Sequence, residues 1–268
     1  MDSLRTDSHG LDSFRLRTLA IISMLIDHIA AVLMEPGMPG YIFLRSVGRL
    51  AFPIFCFLIV EGLVHTRSVW KYMARLAIFA VISEIPFDLA TKGRVIEFAE
   101  GQNVFITLLL GLAAITAVHM GAPLLLKKLG AKEALCGNVW MRTLVASPAI
   151  LLCGWLAEKL STDYGYAGVV FICVLYIFRD NRAAALVAMS IANVLCLCVH
   201  YRLADGSGIF YRELAVCLYR TPQLWACLAA LPLGFYNGQQ GTKKYRNWFY
   251  CFYPAHLLLL GLIDILIN

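Results

Sequence analysis

The chain has 268 residues, 60% of them apolar and 15% charged, with a formal net charge of +6 and a mean hydropathy of +0.72. A water-soluble domain is about half apolar and about a quarter charged; here the apolar excess is gathered into long runs, which excludes an ordinary soluble fold and predicts an integral membrane chain. The basic surplus then reports topology before anything else, and no interleaving of aromatic and basic residues suggests a nucleic-acid surface.

The apolar runs predict an all-α, polytopic helical bundle of about nine transmembrane helices, with a range of about eight to ten. They lie at residues 18–34, 47–64, 72–90, 103–120, 139–159, 164–178, 183–201, 214–236 and 249–267, and fold as one domain over residues 1–268. Loops are expected to be short except around 121–138 and 202–213. Thirteen loop Lys and Arg residues fall on the side of the N-terminus against six on the other, so the N-terminus is expected to be cytoplasmic.

Ionisable side chains inside spans are costly and face cavities or one another, which makes them the informative residues. The first run is too long for a signal-peptide core, lacks a small-residue cleavage site and holds Asp27 and His28, so it reads as a mature helix. Arg17 stands at its cytoplasmic mouth, and the eleven residues from there to His28 amount to about 16 Å and nearly three turns. Arg17 and His28 therefore share a face, whereas Asp27 is turned ~100° away. His28 reads either as a general base or as a histidine satisfied by a helix–helix hydrogen bond.

The second span, from RSVGRLAFPIFCFLIVEG at 45–62, places Arg45 and Arg49 on one face, a kink at Pro53 and Glu61 at the far end. Arg45 is expected to snorkel to the head groups; Arg49 either contacts an anion or pairs with Asp27. The third span carries Arg75 near its start and the i, i+4 carboxylates Glu84 and Asp88 around Pro86, placed to orient His28, to position an acceptor or to pair with Arg49. Asp163, in the DYG at 163–165, is expected to cap the sixth helix. Pro222, Pro232 and Arg220 interrupt the eighth span, which reads as a full span or as a shorter helix behind an interfacial segment. YNGQQG at 236–241 is a turn signal followed by Lys243, Lys244 and Arg246, a cluster that holds phosphates or obeys the positive-inside rule. YPAH then places His256 a turn or two into the last helix. The nine cysteines lie mostly inside apolar runs as small hydrophobes; no disulfide framework is expected, and no metal site.

The stretches LRTLAIISMLIDHI (16–29), GRLAFPIFCFLIVEG (48–62), HTRSVWKYMARL (65–76), SEIPF (83–87), NVFITLLLG (103–111), DYGYAGV (163–169), YNGQQG and YPAHLLLL (253–260) together resemble the TraX family, related to the transmembrane acyltransferase superfamily. The resemblance implies acyl transfer from acetyl-CoA, as co-substrate, to an acceptor outside the cytoplasmic (inner) membrane: a pilin or other peptide N-terminus, or a glycan. In the related superfamily a basic or polar residue and a histidine with ten residues between them on the first helix form the recognised motif, and Arg17 and His28 have that spacing.

On this reading Arg17, Arg67, Lys71, Arg75 and the Lys243, Lys244 and Arg246 cluster meet the phosphates of acetyl-CoA. His28 takes a proton from an amine or hydroxyl, or carries the acetyl group, and Arg49 or a helix dipole stabilises the oxyanion. Asp27 fixes the arginine, and Glu84 or Asp88 the imidazole tautomer. The competing class is a proton-coupled secondary transporter that uses the same buried Asp, Glu and His residues as relays; a third is a noncatalytic scaffold for pilus or envelope assembly.

Overall fold

The computed structural model describes residues 10–97, 101–205, 221–242 and 245–267. Among them the secondary structure is helical, with no strand and two isolated bridges, Leu11 with Tyr236 and Gln102 with Thr162. Six helical stretches are long and apolar enough to cross a membrane: Ser13–Leu33, Tyr41–His65, Val104–Lys128, Val139–Lys159, Arg182–Val199 and Trp248–Ile267. The chain is a multi-pass membrane protein with an all-α bundle fold.

Helix α1 (Ser13–Leu33) starts at an Asp12 cap, whose side chain accepts from the Arg15 N–H. The predicted second span is divided into α2 (Tyr41–Gly48) and α3 (Ala51–His65). Pro53 explains the division. It has no N–H for the Arg49 carbonyl and its ring crowds that turn, so the chain tightens at residues 49–50 through Arg49 N–H to Ser46 O (3.2 Å) and Leu50 N–H to Val47 O (3.3 Å). The Ser23 hydroxyl of α1 donates to Val47 O at 2.5 Å beside the break.

Helix α4 (Val69–Lys92) has 24 residues, about 36 Å at ~1.5 Å per residue, with Pro86 inside it. Helix α5 (Val104–Thr116) continues through a π turn (Ala117–Gly121) into α6 (Ala122–Lys128). The long loop expected at 121–138 is therefore helical for most of its length, with α7 (Glu133–Gly137) following. Pro123 sits in the first turn of α6, and the π turn shifts the hydrogen-bond register just before it, which lets the rod continue. Helix α8 (Val139–Lys159) has the predicted bounds, and α9 (Gly165–Ile177) is apolar but only 13 residues long.

Helix α10 (Arg182–Asp205) reaches past its predicted end. The described part of the expected eighth span is a 3-10 helix (Pro222–Ala229) leading into the short α11 (Ala230–Gly234), not one continuous helix, because Pro222 and Pro232 interrupt the ladder; Arg220 and the rest of that span lie outside the described residues. Helix α12 (Arg246–Ile267) closes the bundle.

The packing places α1 against α2, α3 and α12, lays α12 along α4, and sets α5 and α9 against each other at the centre. Leu16, Ile54, Leu76, Leu112, Ile172 and Leu257 are fully buried there. Helix α8 is peripheral, with Leu144, Leu151 and Trp155 facing outward, as expected of a surface solvated by lipid.

Candidate functional site

The centre of the site is a pair of histidines contributed by the first and last helices. His28 Nδ1 and His256 Nε2 lie 2.7 Å apart, and the two rings are stacked at 4.9 Å between centroids. One further contact orders the protons. His256 Nδ1 is 2.8 Å from the Phe252 carbonyl, which can only accept, so Nδ1 carries a proton. The Nε2 of a neutral His256 then has a free lone pair and accepts from His28 Nδ1–H. That leaves His28 Nε2 unprotonated, the state a general base requires. His256 is 6% exposed and locked in place; His28 is only half-buried.

The residue that orients His28 is thus a histidine, not Glu84 or Asp88. Asp88 is fully buried and bonded to Lys92 at 2.6 Å and to the Glu97 N–H at 2.7 Å, where it anchors the turn after α4. Lys92 also donates to the Glu97 and Gly101 carbonyls, both at 2.8 Å. Glu84 accepts from the buried Asn103 side-chain amide, which also donates to Ala80 O at 2.8 Å and caps α5 through Phe105 N–H. Neither carboxylate meets Arg49.

Asp27 gathers the arginines instead. Arg45 lies 2.6 Å from its carboxylate and Arg49 2.9 Å. Arg45 is consequently not a snorkelling residue: the chain reversal between α1 and α2 turns it back onto α1. Every guanidinium nitrogen of Arg49 is already engaged, Nε with Arg45 O, one terminal nitrogen with Gln223 Oε1 and the other with both Asp27 oxygens. Arg49 therefore fixes α1 to α2 and the 3-10 helix, and its charge is committed to Asp27.

Asp163 also interacts with this cluster. Asp163 is exposed as a residue, and desolvation by the surrounding protein pushes its carboxyl up to about 6, with Arg49 opposing the shift. It does not cap α9; Glu158 of α8 accepts from the Tyr166 N–H at the start of that helix, and Gly165, at φ 49°, makes the turn.

A cavity of about 770 Å³ is lined at α1 by Met24 and at α12 by Tyr253, which adjoin His28, although neither His28 nor His256 lines it. Its mouth carries Arg17, Arg67, Lys71 and Arg75, brought together by the start of α1 and the α3–α4 corner. No carboxylate forms an ion pair with any of these four among the described residues. Leu58, Leu76 and Leu108 line the walls, and Met24, Phe105 and Tyr253 the inner end. Met24 is one helical turn before His28, so the cavity face of α1 runs from Arg17 through Met24 toward the imidazole. Tyr253 stands edge-on to His28 with centroids 6.0 Å apart. Lys243, Lys244 and the side chain of Arg246, the other candidate phosphate contacts, lie outside the described residues.

The TraX protein family model matches residues 13–264. The chain belongs to the TraX family. It is similar to a probable fimbrial assembly protein FimC, serogroup H1, of Dichelobacter nodosus, with 31% identity over 259 residues covering 92% of this chain and 93% of that one. No solved structure matches.

The TraX stretches that sequence reasoning left as turns acquire a role in the fold. YNGQQG forms a clasp beneath α1: Leu11 N–H bonds Phe235 O at 2.8 Å, Asn237 N–H bonds Leu11 O at 2.9 Å, and Ser13 N–H bonds Gln239 O at 2.9 Å. Tyr236 then reaches across the cavity wall and donates to Glu61 at 2.8 Å while Ser13 Oγ lies 3.1 Å from its oxygen. Burial, reinforced by Glu61, pushes the Tyr236 phenol up to about 12, so it remains a donor. His256 and Tyr253, which complete the site, come from the YPAH stretch. Their sequence signals were polarity inside the last apolar run and the YPAH stretch itself.

Proposed function

We propose that this TraX-family chain is an acyl-CoA-dependent acetyltransferase of the cytoplasmic (inner) membrane. The observation that carries this reading is the conjunction of a basic mouth whose four cations have no ion-pair partner among the described residues, a cavity of about 770 Å³ lined by Tyr253, and, in ring contact with Tyr253, a histidine whose outer nitrogen is held free of its proton. Arg17, Arg67 and Lys71 suit the phosphates of coenzyme A, and the apolar walls suit its extended arm. The basic end faces the cytoplasm, and His28 Nε2 accepts the proton of an amine or hydroxyl that arrives from the other side. The resulting imidazolium charge spreads to His256 through the 2.7 Å contact. The fimbrial assembly relative supports a surface peptide such as a pilin as acceptor, over a glycan.

The test uses the purified chain in nanodiscs with acetyl-CoA and a panel of N-terminal peptides. His28→Ala is expected to lower acetyl transfer by roughly 10²–10⁴-fold with little change in acetyl-CoA affinity. Transfer at the wild-type rate by that variant sinks the assignment. Absence of acetyl-CoA binding by the wild type, with proton-driven uptake in liposomes, would point to a transporter in its place.

A further inference from the structure

One polar atom at the inner end of the cavity has no structural employment. The Tyr253 hydroxyl is buried without a hydrogen-bond partner, and the residue as a whole is 3% exposed. The Val104 N–H, in the first turn of α5, lies close to its oxygen, which leaves the hydroxyl proton without an acceptor. A buried tyrosine ordinarily places its O–H on an acceptor, so an idle one in a residue that lines the cavity is a place for a ligand atom, which on arrival displaces the atoms that cover the hydroxyl here. Its surroundings say which. The ring is fixed edge-on between Phe105, at 5.1 Å, and both histidines, at 6.0 Å from His28 and 5.8 Å from His256. The tyrosine is three residues before His256 on α12, so the two share a helix face.

We propose that Tyr253 is the oxyanion donor of the transfer reaction, its O–H held against the carbonyl oxygen of the acyl thioester; this rests on the acyltransferase reading above. The acceptor's lone pair forms the new bond to the carbonyl carbon, the C=O π electrons move onto oxygen, and His28 Nε2 takes the acceptor's proton. Tyr253 keeps its own proton and donates a hydrogen bond to the developing oxyanion. Collapse breaks the C–S bond, and the leaving thiolate recovers the proton from the His28 imidazolium. The role fits Tyr253 better than Arg49, which is held by Asp27 and does not line the cavity.

Tyr253→Phe keeps the ring and its packing and removes the O–H alone. In nanodiscs, acetyl-CoA turnover by this variant is expected to fall by roughly 10²–10³-fold, with the dissociation constant of acetyl-CoA within about twofold of wild type. Infrared difference spectra of acetyl-CoA carrying ¹³C at the carbonyl give an independent readout. The bound carbonyl stretch is lowered in the wild type, returns to the free value in Tyr253→Phe, and is lowered further when 3,5-difluorotyrosine, a stronger acid, occupies position 253. Wild-type turnover by Tyr253→Phe, or a bound carbonyl stretch indifferent to all three side chains, overturns the proposal and leaves the acyltransferase reading standing. Failure of the wild type to bind or turn over acetyl-CoA overturns both.

Discussion

Asp27 and His28 are neighbours in sequence and belong to separate networks, because a helix turns ~100° per residue. Asp27 neutralises two arginines; His28 meets a second imidazole. Replacing Asp27 by Asn leaves Arg45 and Arg49 facing each other without a counter-charge, at an expected cost of roughly 3 kcal/mol. Thermal unfolding in nanodiscs should show a clear loss for Asp27→Asn and a smaller one for Arg45→Ala, since Arg45 is the more exposed of the two arginines; equal effects would refute the central place of Asp27.

The Asp27–Arg49 pair was legible in the sequence, as a buried arginine needs a carboxylate at its own depth. The His28–His256 pair was not. Its members stand 228 residues apart, and no local periodicity connects the two ends of a chain. Asp88 misled for the opposite reason: its partner, Lys92, was one turn away in plain view, but the eye is drawn to carboxylates that could serve a histidine.

At the scale of helices, the apolar runs located most elements to within a few residues, since hydrocarbon thickness sets their length. What they did not give was where a rod bends or continues. Pro53 announced a kink, but the break falls at the turn before it, where the proline denies a hydrogen bond to the Arg49 carbonyl. The fourth span was expected to end at residue 120, yet a π turn carries α5 into α6.

Close approach of α1 and α2 depends on Gly48, where a Cβ would overlap the Asp27 side chain. Gly48→Ala is therefore expected to push α2 off α1 and destabilise the protein by about 1–3 kcal/mol. It should also lower activity, because α1 carries His28. An unchanged melting temperature for Gly48→Ala would show that the helices have slack the structure does not suggest.

Across the whole molecule, the sites of Arg17, Arg67, Lys71 and Arg75 were readable because a positive surplus on one side of a membrane is conspicuous. That they surround a single cavity was not, as it depends on how α4 lies along α12 and how α1 enters the bundle. Removing two of these cations together, in Arg17→Ala with Lys71→Ala, is expected to weaken acetyl-CoA binding roughly tenfold or more, each tenfold being about 1.4 kcal/mol. The wild-type affinity should fall as salt is raised and that of the double variant much less. A titration at two ionic strengths checks this, and an equal salt response would remove the basic mouth from the account.

The clasp that joins residues 11–13 to residues 235–239 has a consequence for biogenesis. Helix α1 leaves the ribosome before the segment that seats its base, which is synthesised more than 200 residues later. A nascent chain thus holds its imidazole in the bilayer long before the chamber beside it acquires a rim. Competence arrives only once the clasp segment has been translated, and a message cut short before it yields an inserted but inert protein.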